Sequence, residues 1–377
     1  MPETGPRVLH ASLVPRISQG IATQLVLERR AVQALGIPWE TALFSPRSSL
    51  EPFPEPINMG PPDLRQASGG SMPDRVVTNI RLRRAFYSWL AVRESEFDVI
   101  LLRYSVHDRA QARFVQRSHA FTGLVHHAFE VDELRGLDGV TGRVRAGLES
   151  RIGPSSIGGA DLIVGVTDEI AQHEVSRVDG LRTPVLVYPN GGPDAVEPVA
   201  DERVATPHLL CASSYFSPWQ GVDLLLDSLS SCPRDFVLHL AGELSSRDAA
   251  AAVGDSRVVV HGSLTQAQMR DLAAVCWAGI SSLAIERQGF RTACPLKVRE
   301  YLSMGLPVVG NHDEVLPVDF PFYVKGGPDI ASILDAADRW RSVPRSVVAQ
   351  ASLPLISKKA IVKDFYADLA RLVESRP

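Results

Sequence analysis

Short apolar runs recur along the chain, and most of them lead through a polar or glycine-bearing loop into a stretch with helical spacing. In the first half, residues 7–13 (RVLHASL), 39–44, 97–104, 120–127, 160–166 and 184–190 read as strands. The run at 97–104 is apolar at nearly every position, the signature of a parallel strand covered on both faces. Between the first two strands the spacing predicts a loop over 15–20 and a helix over 21–35, stopped by Gly36-Ile37-Pro38. Residues 45–78 are rich in Pro, Ser and Gly and read as a long irregular connection, followed by a helix over 79–93. The strand at 160 opens into a further helix, with Thr167 or Asp168 as its N-cap.

The same rhythm restarts after a Pro-, Asp- and Glu-rich stretch at 193–206. Strands are expected at 208–213, 236–241, 258–264 and 278–283, at Pro307-Val308-Val309 and at 320–325, with helices at 222–229, 328–341 and 358–373. Two successive series of alternating strands and helices predict an α/β protein with two doubly wound domains. The expected divisions are 1–192, a linker at 193–206, 207–357, and a C-terminal segment at 358–377.

At 377 residues, 45% of them apolar, the chain can build two cores and is not a disordered polymer. Cys211, Cys232, Cys276 and Cys294 show no C-x-x-C spacing, which argues against a zinc site or a disulfide framework and fits a reducing cytoplasm. The N-terminus lacks the basic-then-apolar design of a secretion signal, and no apolar run is long enough to span a bilayer. The net charge of −4 shows no broad nucleic-acid footprint. The helix at 79–93 sets Arg81, Arg83, Arg84 and Arg93 beside Ile80, Phe86, Trp89 and Leu90. Two readings stand for it: the commoner, a surface helix with one buried stripe, and a peripheral contact with anionic lipid or an acidic acceptor.

The densest chemistry lies in Thr292-Ala293-Cys294-Pro295-Leu296-Lys297-Val298-Arg299-Glu300-Tyr301-Leu302-Ser303-Met304-Gly305-Leu306-Pro307-Val308-Val309. This reads as a helix opening at Pro295 and Leu296, stopped at Gly305 and followed at once by a buried strand. A helix start offers free backbone N–H groups and partial positive charge to a phosphate. Lys297 in the first turn and Glu300 three residues on share a face, which suits a ligand with phosphate at one end and hydroxyls at the other.

This block resembles the donor-site signature of the GT-B glycosyltransferases of the family-4 type (glycosyl transferases group 1). The resemblance implies two Rossmann-like doubly wound domains facing a cleft, with the last helix crossing back to the first domain. It also implies a retaining transferase that moves a sugar from a nucleotide diphosphate, as a UDP- or GDP-sugar, to a glycan, lipid or small-molecule acceptor. On this reading Glu300 holds the ribose hydroxyls, while Lys297 with the helix start at Pro295 and Leu296 stabilises the departing diphosphate. The base is held at Gly262, Ser263 and Leu264. His126, His127 and Glu130, after the fourth strand, are the catalytic candidates facing the donor sugar; strand alternation sends only one of the two histidines to each face. Ser18, Gln19 and Gly20 in the loop after the first strand either approach phosphate or acceptor or form a plain turn.

Three positions depart from the family pattern. Tyr215 and Gln220 stand where the family's loop G-R-x-x-x-x-K-G carries Arg and Lys, so Lys297, Arg287, Arg291 or the helix start must compensate. Eight residues before Glu300, where an E-x7-E pattern wants a carboxylate, stands Thr292. No Asp-x-Asp clamp is present, so no metal and no cofactor beyond the donor are expected, and no nucleic-acid partner. The expected location is the cytoplasm, with the inner membrane face as the alternative tied to the helix at 79–93. The rival function is a catalytically weak homologue that binds a nucleotide or a protein partner. A dinucleotide oxidoreductase would need G-x-G-x-x-G after the first strand, which Leu13 to Gly20 lacks.

Overall fold

The computed structural model describes residues 5–15, 17–46, 58–61, 64, 72–136 and 139–375. The chain divides into two units, Met1–Pro189 with Ile361–Pro377, and Asn190–Ala360. The first contains β1 (Val8–Leu13), α1 (Gln19–Leu35), β2 (Trp39–Phe44), α2 (Met72–Arg93), β3 (Val99–Arg103), α3 (Arg109–Arg117), β4 (Phe121–His126), α4 (Glu130–Arg135), α5 (Gly139–Ile157), β5 (Leu162–Gly165), α6 (Asp168–Ser176) and β6 (Val185–Val187). Its strands form one parallel sheet in the order β2-β1-β3-β4-β5-β6. Alternate residues of β3 point to opposite cores: Ile100 and Leu102 meet Leu82, Phe86 and Leu90 of α2, while Val99 and Leu101 meet Ala31 and Val32 of α1. The second of these cores also takes Val362, Phe365 and Leu369 of the closing helix.

Beneath α1 the fully buried Glu28 ties four elements together. Its carboxylate accepts from Tyr188 Oη at 2.7 Å, Thr41 Oγ1 at 2.6 Å and Trp39 Nε1 at 3.2 Å, and lies 2.9 Å from His10 Nδ1.

The second unit contains β7 (His208–Tyr215), α7 (Val222–Ser228), β8 (Val237–Glu243), α8 (Ser246–Val253), β9 (Val258–Gly262), α9 (Gln266–Val275), β10 (Ala278–Ile280), β11 (Thr292–Ala293), α10 (Leu296–Ser303), β12 (Val308–Gly310), β13 (Asp313–Glu314), β14 (Tyr323–Lys325), α11 (Ile330–Arg339) and α12 (Arg345–Ile356); the closing helix is α13 (Lys358–Glu374). The main sheet is again parallel, in the order β14-β12-β10-β7-β8-β9, and β11 pairs separately with β13.

Several boundaries differ from the sequence reading for identifiable reasons. Ser18 accepts a hydrogen bond from Ile21 N, so α1 begins at Gln19 and Gly20 lies in its first turn, not in the preceding loop. Helix α2 starts at Met72, within the stretch read as irregular; Pro73 is tolerated in a first turn, where its missing N–H has no partner to lose. Helix α5 escaped the periodicity because it is inverted: Gly142, Ala146, Glu149 and Gly153 are buried while Val140, Val144 and Leu148 are exposed. Helix α12 was hidden by its internal Pro354.

Three imidazoles stand side by side across the second sheet. His208 Nδ1 lies 3.0 Å from His239 Nε2, and His239 Nδ1 lies 2.9 Å from His261 Nε2. Burial pushes His239 down to about 4, and its two neighbours add to the effect. An unfolded histidine takes up its proton near pH 6.5. Between the two values the unfolded chain binds a proton that the folded one refuses, so this residue makes stability fall as pH drops through that window. His239→Gln is therefore expected to lose less melting temperature than the parent between about pH 7 and about pH 5. Equal losses, read by scanning fluorimetry, would refute the assignment.

Candidate functional site

In the second unit β7 and β10 are neighbours, although the chain visits β8 and β9 between them. From β7 and β10 the chain therefore goes on to strands on opposite sides in the sheet order, and a parallel sheet opens a ligand crevice at the carboxyl ends of such strands. The loop after β7 folds onto the loop after β10: Leu283 N donates to Gln220 O at 3.0 Å and Ala284 N to Trp219 O at 3.2 Å. Gly221 makes this approach feasible, with φ of 71° and a would-be Cβ only 2.9 Å from the Leu283 Cβ.

Helix α10 starts beside this crossing with Pro295 as its N-cap and no side chain capping its first amides. Val298, Arg299, Tyr301 and Leu302 are buried, which leaves Lys297 and Glu300 on the open side. Tyr301 anchors the helix, its hydroxyl accepting from Ala212 N at 2.9 Å and its ring lying where a Cβ on Gly279 would be. Arg299 is sealed in an ion pair with Glu314 at 2.7 Å.

Lys297 is half-buried, and its ammonium donates to Gln220 Oε1 at 2.6 Å. Gln220 is itself buried and donates through Nε2 to Ser213 Oγ at 2.6 Å. Desolvation lowers the Lys297 pKa against the opposing pull of Cys211 and Glu300, and desolvation raises that of Glu300 against the pull of Lys297. A cation whose hydrogen-bond acceptor is a neutral amide is available to an anionic ligand. Arg287 does not share this role, because it is forked onto Asp223 with both contacts at 2.9 Å. Tyr215 is exposed at the end of β7.

Pro295, Leu296, Lys297 and Glu300 are thus brought to one helix start. Gly262 ends β9 and Ser263 and Leu264 follow it, two strands across from β7 or about 10 Å along the sheet. Gly262 is left-handed (φ 65°), and Ser263 is exposed before Thr265 caps α9.

In the first unit β4 ends at His126, and the two histidines differ in burial. His126 is fully buried, its ring stacked 4.2 Å from that of Tyr104, with Nδ1 3.5 Å from both Glu130 Oε1 and Glu174 Oε2. Burial pushes it down to about 4. Beside it burial raises Glu130 to about 7, Arg103 opposing, so this carboxyl exchanges its proton near neutrality. His127, just past the end of β4, is half-buried. Beyond His126 lies a sealed ionic cluster. Glu149 accepts from Tyr104 Oη, from His107 N at 2.7 Å and from Arg177 Nη2 at 2.8 Å, and Arg177 also pairs with Glu174.

Arg103 was not singled out from the sequence. It ends β3 half-buried, the burial lowers its pKa, and Glu130 and Glu133 oppose that shift. The signal available was a cation closing an apolar strand at its carboxyl end.

This architecture of two parallel-sheet Rossmann-like units is the GT-B fold of glycosyltransferases. The family described as Glycosyl transferases group 1 matches residues 206–317, which span β7 to β13 and include Gln220, Lys297 and Glu300. Among solved structures the chain is similar to a lipopolysaccharide outer core galactosyltransferase, WaaB, in its apo form, with 13% identity over 97% of this chain and 99% of that one and a TM-score of 0.62. A glycosyltransferase from Rickettsia africae gives 12% identity, 98% and 100% coverage and a TM-score of 0.65. Anabaena HepE in complex with UDP gives 16%, 98% and 100%, and 0.57. No curated protein sequence matches significantly.

Proposed function

We propose that the chain is a retaining glycosyltransferase that takes its sugar from a UDP- or GDP-sugar and passes it to a glycan, lipid or small-molecule acceptor. The observation that carries this reading is the start of α10, where uncapped amides, the Lys297 ammonium and the exposed Glu300 carboxylate stand together at the strand crossover of the second unit. Lys297 and the amides neutralise the departing diphosphate, and Glu300 accepts from the ribose hydroxyls. In support, similar structures were solved with UDP, and with UDP and glucose or UDP and GlcNAc. In the first unit we assign the turnover role to His127 with Glu130, and to the sealed His126 a positioning role through its contact with Glu130.

One observation favours a weak, nucleotide-binding homologue as the second reading. Gln220 and Tyr215 bring no charge where the family carries two cations, and Arg287 is already paired. A thermal-shift panel of nucleotides and nucleotide sugars separates the cases. UDP or GDP, and one of their sugars, are expected to raise the melting temperature, with release of the nucleotide once acceptor is added. Stabilisation without any transfer or donor hydrolysis supports the second reading. No shift with any nucleotide overturns both.

A further inference from the structure

The outer side of α2, α3 and α5 combines charge and apolar surface in a way that the proposed transfer reaction does not use. Helix α3 buries Gln111, Ala112 and Val115 and turns Arg109, Arg113 and Arg117 to solvent, one turn apart. None of these three arginines has an ion-pair or hydrogen-bond partner among the described residues. Helix α3 packs against α2 and α5. On the α2 side, Ile80, Arg84 and Arg109 line one groove of about 680 Å³. On the other side, α5 exposes Val140, Val144 and Leu148, again one turn apart, with Arg143 between them. Of fifteen exposed large apolar residues among those described, four lie on α2 and three on α5, so apolar exposure is concentrated where the unpaired arginines are. Acids offset little of the charge: Asp108 and Glu149 are buried and engaged with Arg83 and Arg177, and the one other acid on the three helices, the exposed Asp74, lies in the first turn of α2.

We propose that this α2–α3–α5 face docks on an anionic lipid bilayer, with the arginines against headgroup phosphates and the Val, Ile and Leu side chains at the acyl boundary. Guanidinium forks match phosphate oxygens, and aliphatic side chains flanking a basic stripe are what an interfacial surface requires. A nucleic acid would use the same cations, but the exposed large apolar residues of α2 and α5 are aliphatic and offer no platform for base stacking. No helix among the described residues is long and apolar enough to cross a membrane, so the contact is peripheral.

The test is sedimentation of the full chain with vesicles of phosphatidylcholine mixed with phosphatidylglycerol, against phosphatidylcholine alone. The chain is expected to pellet with the mixed vesicles only, and less at high salt. Combining Arg109→Gln, Arg113→Gln and Arg117→Gln should lower the partition coefficient about a hundredfold, with an unchanged melting temperature. Val144→Ser with Leu148→Ser should weaken pelleting while leaving its salt dependence intact. Failure of the parent to pellet with anionic vesicles, or parent-like pelleting by the folded arginine variant, overturns the proposal. Displacement from vesicles by duplex DNA, with tighter binding to that DNA, overturns the lipid assignment in favour of a nucleic-acid surface. Donor binding by the second unit is unaffected by either result.

Discussion

Lys297→Ala is expected to weaken binding of the nucleoside diphosphate by about ten- to a hundredfold, the range of a charge-assisted phosphate contact of about 1.5–3 kcal/mol. The loss should lie toward the upper end, because Tyr215 and Gln220 near the helix start bring no charge and Arg287 is paired with Asp223. The structure also gives a sign for Gln220→Lys. In the parent its Oε1 accepts the Lys297 ammonium at 2.6 Å, so a second ammonium there replaces an acceptor with a like charge and should disturb Lys297. In the Lys297→Ala background the same change meets no opposing cation and should recover part of the lost affinity. Glu300→Ala should lower affinity through the ribose without altering the melting temperature, since the side chain is exposed. Calorimetric titration with UDP and GDP reads all of these. Unchanged affinity in Lys297→Ala would make the lysine an ordinary surface residue and remove the chief support for donor binding at α10.

The largest stability effect is expected from Glu28→Ala. The carboxylate is buried and gathers Tyr188, Thr41, Trp39 and His10, so its removal leaves several buried polar groups without their acceptor. Breaking such a buried charged network by deleting one partner costs about 3–5 kcal/mol, a large share of the roughly 5–15 kcal/mol that holds a folded protein together. Glu28→Gln keeps one acceptor oxygen but aims an amide N–H₂ at groups that are themselves donors, so it should be destabilising by a smaller amount. Denaturant midpoints followed by tryptophan fluorescence report on this directly, because Trp39 is one of the bonded partners. A shift below about 1 kcal/mol for Glu28→Ala would mean that water replaces the carboxylate without penalty.

Much of the fold was legible because its signals are local. Apolar runs such as VILLR in β3 must be covered on both faces, and their alternation with helical spacing implies parallel sheets. The start of α10 was legible for the same reason: Pro295, Lys297, Glu300 and the strand after Gly305 lie within a few residues of one another, and helix periodicity alone puts Lys297 and Glu300 on one side. Local signals failed where a residue's surroundings come from elsewhere in the chain. Alternation predicts that His126 and His127 part but cannot say which is inside; Tyr104, Glu174 and Arg177, brought in by other elements, bury His126. Helix α5 went unread because its buried stripe, Ile157 at its end apart, is small residues and one glutamate held by Arg177 and Tyr104, a pattern with no apolar period. The neutral Gln220 in place of a cation was visible in the chain. That it bonds to Lys297, and that Arg287 is tied to Asp223, required the loops after β7 and β10 to meet, because the partner of a charge is set by distance in space and not by separation in sequence.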